Sequence, residues 1–66
     1  MQTMINGQPH EIADGMTVAT LLDDLKLTGK PVAVEVNLDL IPKQQHAEHR
    51  LAEGDRVEIV TLVGGG

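Results

Sequence analysis

Residues 57–63, Val-Glu-Ile-Val-Thr-Leu-Val, are followed directly by Gly64-Gly65-Gly66. Residues that branch at Cβ favour extended structure, so residues 57–63 predict a strand at the end of the chain. The glycines carry no side chain that packs, and they lose more conformational entropy on ordering than any other residue. We therefore expect a single domain over residues 1–62 and a flexible tail over residues 63–66.

Earlier segments are predicted to supply the other strands of a sheet. Residues 1–5 and 8–12 flank Asn6-Gly7, a pair that a type I′ hairpin turn prefers. Pro9 marks the second of these strands as an edge strand or a bulge. Residues 32–36, Val-Ala-Val-Glu-Val, alternate and place their valines on one face. A short strand over residues 38–41 follows.

One amphipathic helix is predicted between these strands. Thr17 is a suitable N-cap, and an apolar stripe at helical spacing follows it: Val18, Leu21, Leu22 and Leu25. Gly29 is placed to end this helix as the C′ residue, and Pro31 prevents its resumption. We expect about three turns of helix.

The order of these elements decides the architecture. The hairpin precedes the helix and the valine strand follows it, so a right-handed crossover sets the first and last strands side by side. The predicted fold class is α+β. More specifically, it is a β-grasp, or ubiquitin-like, fold with a mixed four- to five-stranded sheet and one main helix packed on one face.

Composition excludes several kinds of function. The 66 residues include no Cys, no Ser and no aromatic residue, and ten Asp+Glu outnumber five Lys+Arg. Disulfides, a thiol nucleophile and a Ser-His-Asp triad are therefore absent, and nucleic-acid binding is disfavoured. No apolar stretch approaches the roughly 20 residues that span a bilayer. We expect a cytoplasmic protein without membrane or nucleic-acid contacts.

The titratable side chains give no convincing site. His46 and His49 are two potential ligands without a third at a recognisable spacing, so we expect solvated histidines and no metal. Asp23 and Asp24 diverge on the helix, and Glu53 and Asp55 flank a turn glycine. We therefore predict no catalytic residue in this chain.

This elimination leaves the carboxylate of Gly66 as the predicted reactant. A carboxylate resists nucleophiles, so it must first be converted into a better leaving group, such as an acyl-adenylate made from ATP. Gly64 and Gly65 have no Cβ atoms and suit a narrow channel in a partner enzyme. We expect Val60, Leu62 and Val63 to form the docking surface beside this tail. The alternative is that the glycines are merely a frayed end.

The sequence resembles the ThiS family, the small ubiquitin-like sulfur carriers of thiamine biosynthesis. The resemblance covers nearly the whole chain and rests on these segments: residues 5–7, 17–22, 32–37, 41–42, 51–55, 57–60 and 65–66. The Gly-Gly end alone is shared by many ubiquitin-like proteins. Its combination with this short length and these strand motifs is more specific.

The resemblance implies a carrier that is a co-substrate and not an enzyme. An adenylyltransferase related to ubiquitin-activating enzymes would consume ATP and adenylate Gly66, while the carrier itself binds no cofactor. Sulfur from a cysteine desulfurase or another donor would replace AMP and leave a thiocarboxylate. Thiazole synthase would then use this sulfur to build the thiazole ring.

Other functions remain open for the same terminus. A sulfur carrier for molybdopterin synthesis shares the fold, although such chains are somewhat longer and usually contain aromatic residues. A ubiquitin-like protein modifier would join its C-terminus to lysines. A plain binding module would leave the glycines unused.

Overall fold

The computed structural model describes residues 1–62. In chain order its elements are β1 (Gln2–Ile5), β2 (Gln8–Glu11), α1 (Val18–Asp24), β3 (Val32–Val36), β4 (Asp39–Leu40), a 3₁₀ turn (Lys43–Gln45) and β5 (Arg56–Thr61). The strands of this part form one five-stranded sheet in the order β2-β1-β5-β3-β4. The predicted α+β architecture, a mixed sheet with one main helix, is confirmed.

The last strand lies at the centre of the sheet. β5 is parallel to β1, with Ile5 opposite Val57. It is antiparallel to β3, with Val34 opposite Ile59. The predicted neighbouring position of the first and last strands is therefore confirmed.

The core lies between the helix and one face of the sheet. Val18, Val34 and Val57 are at most 1% exposed, so both layers contribute fully buried side chains. The other buried apolar residues are Ile5, Ile12, Leu21, Leu22, Val36, Ile41, Leu51 and Ile59. The chain builds this core from aliphatic side chains alone, since it has no aromatic residue.

The first hairpin has the predicted turn. Asn6 has φ 50° and Gly7 has φ 82°, and positive φ at both central residues is the requirement of a type I′ turn. Pro9 lies in β2, which is an edge strand of the sheet as expected.

The start of α1 has a partner for each backbone N–H of its first turn. Thr17 is the predicted N-cap: its hydroxyl accepts from the Thr20 N–H at 3.2 Å. The N–H groups of Val18 and Ala19 donate to the carbonyls of His49 and His46 at 3.0 and 2.9 Å. The loop after β4 therefore satisfies donors that a helix N-terminus otherwise leaves to solvent.

The predicted end of the helix was wrong. α1 ends at Asp24 and not before Gly29, and Lys26 takes the left-handed C′ position with φ 61°. The Leu27 N–H donates to the Leu22 carbonyl at 2.8 Å, and the Lys26 N–H donates to the Asp23 carbonyl at 3.0 Å. These two bonds define a Schellman motif, in which the residues at C″ and C3, here both leucines, make an apolar contact. Burial of Leu27 therefore outweighs the preference for glycine at C′.

Truncation of a core leucine should destabilise the fold severely. Leu21 is 2% exposed, so Leu21→Ala should lower the free energy of unfolding by about 2–5 kcal/mol. The total free energy of unfolding of a domain of this size is roughly 3–10 kcal/mol. Far-UV circular dichroism in urea measures this change without an aromatic reporter. Leu40→Ala is the control: Leu40 is 63% exposed, and a change within about 0.5 kcal/mol is expected. Equal losses in the two variants would contradict the assigned core.

Candidate functional site

The predicted reactant, Gly66, lies outside the described residues, as do Val63, Gly64 and Gly65. The structure does describe the residue before them. Leu62 follows β5, and its backbone N–H donates to the Pro31 carbonyl at 2.8 Å. The candidate site is therefore the surface around Leu62, from which residues 63–66 continue.

Asn6 attaches the first hairpin to β5. Its side-chain oxygen accepts from the Ile59 N–H at 2.8 Å, and its side-chain nitrogen donates to the Ile59 carbonyl at 3.2 Å. The backbone pairing of β1 with β5 ends at this point, and the Asn6 side chain supplies the next pair of hydrogen bonds to β5.

Asn37 has the same role on the other side of β5. Its side-chain oxygen accepts from the Arg56 N–H at 3.0 Å, and its side-chain nitrogen donates to the Asp55 carboxylate at 3.0 Å. Asn6 was expected only as a turn residue, and the bonds from Asn37 were not predicted. The two asparagines fix the strand that leads into the tail from both neighbouring hairpins.

Val60 lies on the outer face of the sheet, away from the helix. Val57 and Ile59 are buried on the inner face, so the alternation of β5 turns Glu58 and Val60 outward. Val60 is 56% exposed and lies opposite Ala33 of β3. This placement agrees with the outward orientation expected for a docking residue.

Two exposed leucines near this face were not identified as site residues. Leu40 is 63% exposed and lies opposite Glu35 on β3. Leu38, in the turn between β3 and β4, is 87% exposed. The exposure of Leu40 could have been predicted from the sequence. A two-residue turn at Asn37-Leu38 places Leu40 opposite a residue of β3 whose side chain points outward.

Leu62 lines a groove on the helix side of the sheet, although it was expected beside Val60. The groove has a volume of about 500 Å³ and is open to solvent; its apolar walls include Leu22, Leu27 and Val32. Lys30 and Lys43 also line it. Val60 and Leu62, the predicted docking residues that the structure describes, therefore border different surfaces on either side of the strand.

The other titratable candidates have structural roles. His46, expected to be solvated, is 8% exposed, and its Nε2–H donates to the Ile41 carbonyl at 2.9 Å. Glu53 accepts from the Gln2 N–H at 3.0 Å, and Asp55 accepts from the Ala52 N–H at 2.8 Å. Within residues 1–62 no three His, Cys, Asp or Glu side chains are grouped to hold a metal ion. No helix of this part is long and apolar enough to cross a membrane.

Comparisons with known proteins give consistent results. The model of the ThiS family matches residues 3–66. The sulfur carrier protein ThiS of Escherichia coli (strain K12) is 32% identical over 66 residues, which cover 100% of both chains. A crystal structure of a thiamine biosynthesis protein (ThiS) from Geobacter metallireducens aligns with a TM-score of 0.85 at 30% identity, again over 100% of both chains.

A longer relative shows a different arrangement. A thiazole synthase of Paramagnetospirillum magneticum (strain ATCC 700264 / AMB-1) is 41% identical over 66 residues. The alignment covers 100% of this chain but 20% of the relative, so the chain spans about a fifth of that protein's length.

Removing the Asn6 side chain should weaken the sheet at its centre. Asn6→Gly keeps the positive φ but loses two hydrogen bonds, so the free energy of unfolding should fall by about 1–3 kcal/mol. Asn6→Ala should cost about 1–2 kcal/mol more, because alanine is strained in the left-handed region. Urea denaturation followed by circular dichroism gives both values. The control is Gln8→Ala, a substitution at an exposed position of the same hairpin. If Asn6→Gly were as stable as Gln8→Ala, the role of the Asn6 side chain in attaching β5 would be contradicted.

Proposed function

The chain belongs to the ThiS family, and on this premise we propose that it is the sulfur carrier that supplies the thiazole sulfur in thiamine biosynthesis. The observation that carries the proposal is the family match, which extends through the β-grasp domain to Gly66. The sulfur would be held as a thiocarboxylate at that residue.

The proposed chemistry takes place at the α-carboxyl carbon of Gly66. The carboxylate attacks the α-phosphate of ATP, pyrophosphate leaves, and an acyl-adenylate forms. A sulfur nucleophile at the oxidation level of hydrosulfide then attacks the carbonyl carbon and forms a C–S bond. The C–O bond to the phosphate breaks, and AMP leaves. If the sulfur arrives as a persulfide, a thiol must then reduce the resulting acyl disulfide. The thiocarboxylate finally transfers its sulfur during ring formation: its C–S bond breaks, an oxygen takes the place of the sulfur on the carbonyl carbon, and the carboxylate of Gly66 is regenerated.

In this cycle the carrier is a co-substrate. Its described residues bring no nucleophile and general base together, and Glu53, Asp55 and the buried His46 make structural hydrogen bonds. The catalytic groups and the ATP site would belong to an adenylyltransferase of the ubiquitin-activating type, and sulfur would come from a cysteine desulfurase or another donor. We place the cycle in the cytoplasm, where ATP is available.

Thiazole synthase is the proposed acceptor of the sulfur. In the P. magneticum protein of that name, a segment similar to this whole chain occupies a fifth of the polypeptide. A carrier domain joined to the enzyme that consumes its sulfur would be held at a high effective concentration. This arrangement supports a functional pairing between this chain and a thiazole synthase.

The mass of the carrier should report the proposed reaction directly. After incubation with the adenylyltransferase, ATP and a sulfur donor, the intact mass should change by one oxygen replaced by one sulfur. Iodoacetamide should then add one carbamidomethyl group, because the chain has no Cys to compete for it. A chain that ends at Val63, and so lacks all three glycines, is the control and should remain unmodified. Conjugates to lysine would instead indicate a protein modifier, and an unchanged wild-type mass with active enzymes would overturn the proposal.

A charge at the base of the tail should slow adenylation. Leu62 is 51% exposed, so Leu62→Asp should leave the fold intact, yet it would place a carboxylate where the partner closes on the tail. We expect kcat/KM for adenylation to fall about tenfold, which corresponds to 1.4 kcal/mol of transition-state stabilisation. Pyrophosphate release measures this rate. Gln8→Asp adds the same charge at an exposed position that does not line the groove, and equal kinetics in the two variants would rule out a docking role for Leu62.

A further inference from the structure

Leu38 occupies a position that leucine normally avoids. Asn37 and Leu38 have φ 52° and 72°, the pattern of a type I′ turn, whose second central residue is usually glycine. The first hairpin of the same chain follows this rule, with Gly7 at φ 82°. A leucine at positive φ is sterically strained, and this one is also 87% exposed. The domain therefore presents an apolar side chain at a conformational cost that its own fold does not require.

A second unfavourable arrangement lies next to this turn. Glu35 of β3 is directly opposite Glu58 of β5, and like charges at such positions repel. Arg56 shares the outer face by the alternation of β5. Even so, the ion pairs found within residues 1–62 both involve the Met1 ammonium and neither of these glutamates. The outer face therefore carries two neighbouring carboxylates without an ion-pair partner in this part of the chain.

Four residues lie along one face that ends two positions before Leu62, and Leu38 lies in the turn at the other end of this face. Leu40 lies opposite Glu35, Glu35 lies opposite Glu58, and Val60 follows two residues later on the same face. We call Leu38, Leu40, Glu35, Glu58 and Val60 the acidic-apolar face. Any enzyme that encloses the residues after Leu62 approaches one end of it, and Leu38 marks the other end.

We propose that Leu38 and the Glu35–Glu58 pair are the elements by which the adenylating enzyme selects this carrier. The inference rests on the proposed function and specifies its partner surface. The complementary surface would be an apolar pocket for Leu38 with a rim of Lys or Arg that neutralises the two glutamates. Such contacts would relieve the charge repulsion only in the complex, so binding to the enzyme would offset a cost that the isolated domain bears.

The adenylating enzyme fits this role better than a second copy or the sulfur acceptor. A symmetric dimer centred on the Glu35–Glu58 pair would set the carboxylates of one copy against those of the other, in a chain of net charge -5. Glycines have no side chains, so the tail offers an enzyme few contacts that distinguish this carrier from other proteins with a glycine tail. The adenylating enzyme is the first partner to act on the carrier, and it consumes ATP. Its selection of this carrier must therefore depend on contacts with the folded domain.

The test separates binding from folding by removing the strain. Leu38→Gly should leave the urea midpoint unchanged or raised, yet it should raise the KM for adenylation about tenfold with little change in kcat. Lys26→Gly is the matched control: Lys26 also has positive φ, 61°, but lies at the end of the helix. It should likewise retain stability and should leave KM unchanged. Glu58→Gln should raise KM and weaken its dependence on salt, because a charge contact is lost.

Each contrary outcome has a distinct meaning. A normal KM for Leu38→Gly, beside a wild-type carrier that is adenylated, overturns this inference and leaves the proposed function intact. A defect seen only in sulfur transfer to thiazole synthase overturns the assignment to the adenylating enzyme. A wild-type dimer that dissociates in Leu38→Gly points to a second copy instead. Failure of the wild-type carrier to be adenylated overturns the proposed function itself.

Discussion

The parallel pairing of β1 with β5 is the contact on which the rest of the structure depends. It joins the two ends of the domain: the Met4 N–H donates to the Asp55 carbonyl and the Asn6 N–H to the Val57 carbonyl, both at 2.9 Å. The ladder is short, with only two pairs of opposed residues. Asn6 extends it through its side chain, which is separated from Ile59 by 53 positions in sequence. Once this closure forms, β3 adds to the other edge of β5 and the helix covers the inner face.

The sequence predicts most of this fold because its local signals agree with one another. Asn6-Gly7 specifies the hairpin, Thr17 begins the helix, and the valines of residues 32–36 select the buried face of β3. The end of the helix was mispredicted because two preferences compete there. Glycine suits the C′ position, but the chain turns three residues earlier, at Lys26, and in this arrangement Leu27 packs partly buried against the core.

The candidate site is predictable in a different way. Elimination of other reactive groups and the family resemblance identify Gly66, which the described residues do not include. The supporting contacts could not be obtained from the sequence. The bonds from Asn6 and Asn37 to β5 depend on the register of strands far apart in the chain, and so does the meeting of Glu35 with Glu58. His46 lies in the loop whose carbonyls accept hydrogen bonds from the N-terminus of the helix. No local sequence pattern predicts that this loop packs there, so the burial of His46 was not predicted.

The central position of β5 has a mechanical consequence for the proposed function, in which other enzymes would hold the tail. A pull on the residues after Leu62 acts along the axis of β5. Its hydrogen bonds to β1 and β3 run across that axis, so they are loaded together in shear and do not open one by one, as they would at a peeled edge. The side chains of Asn6 and Asn37 add bonds in the same orientation. In the proposed cycle, partner enzymes would therefore hold and release the tail without separating the strands of the sheet.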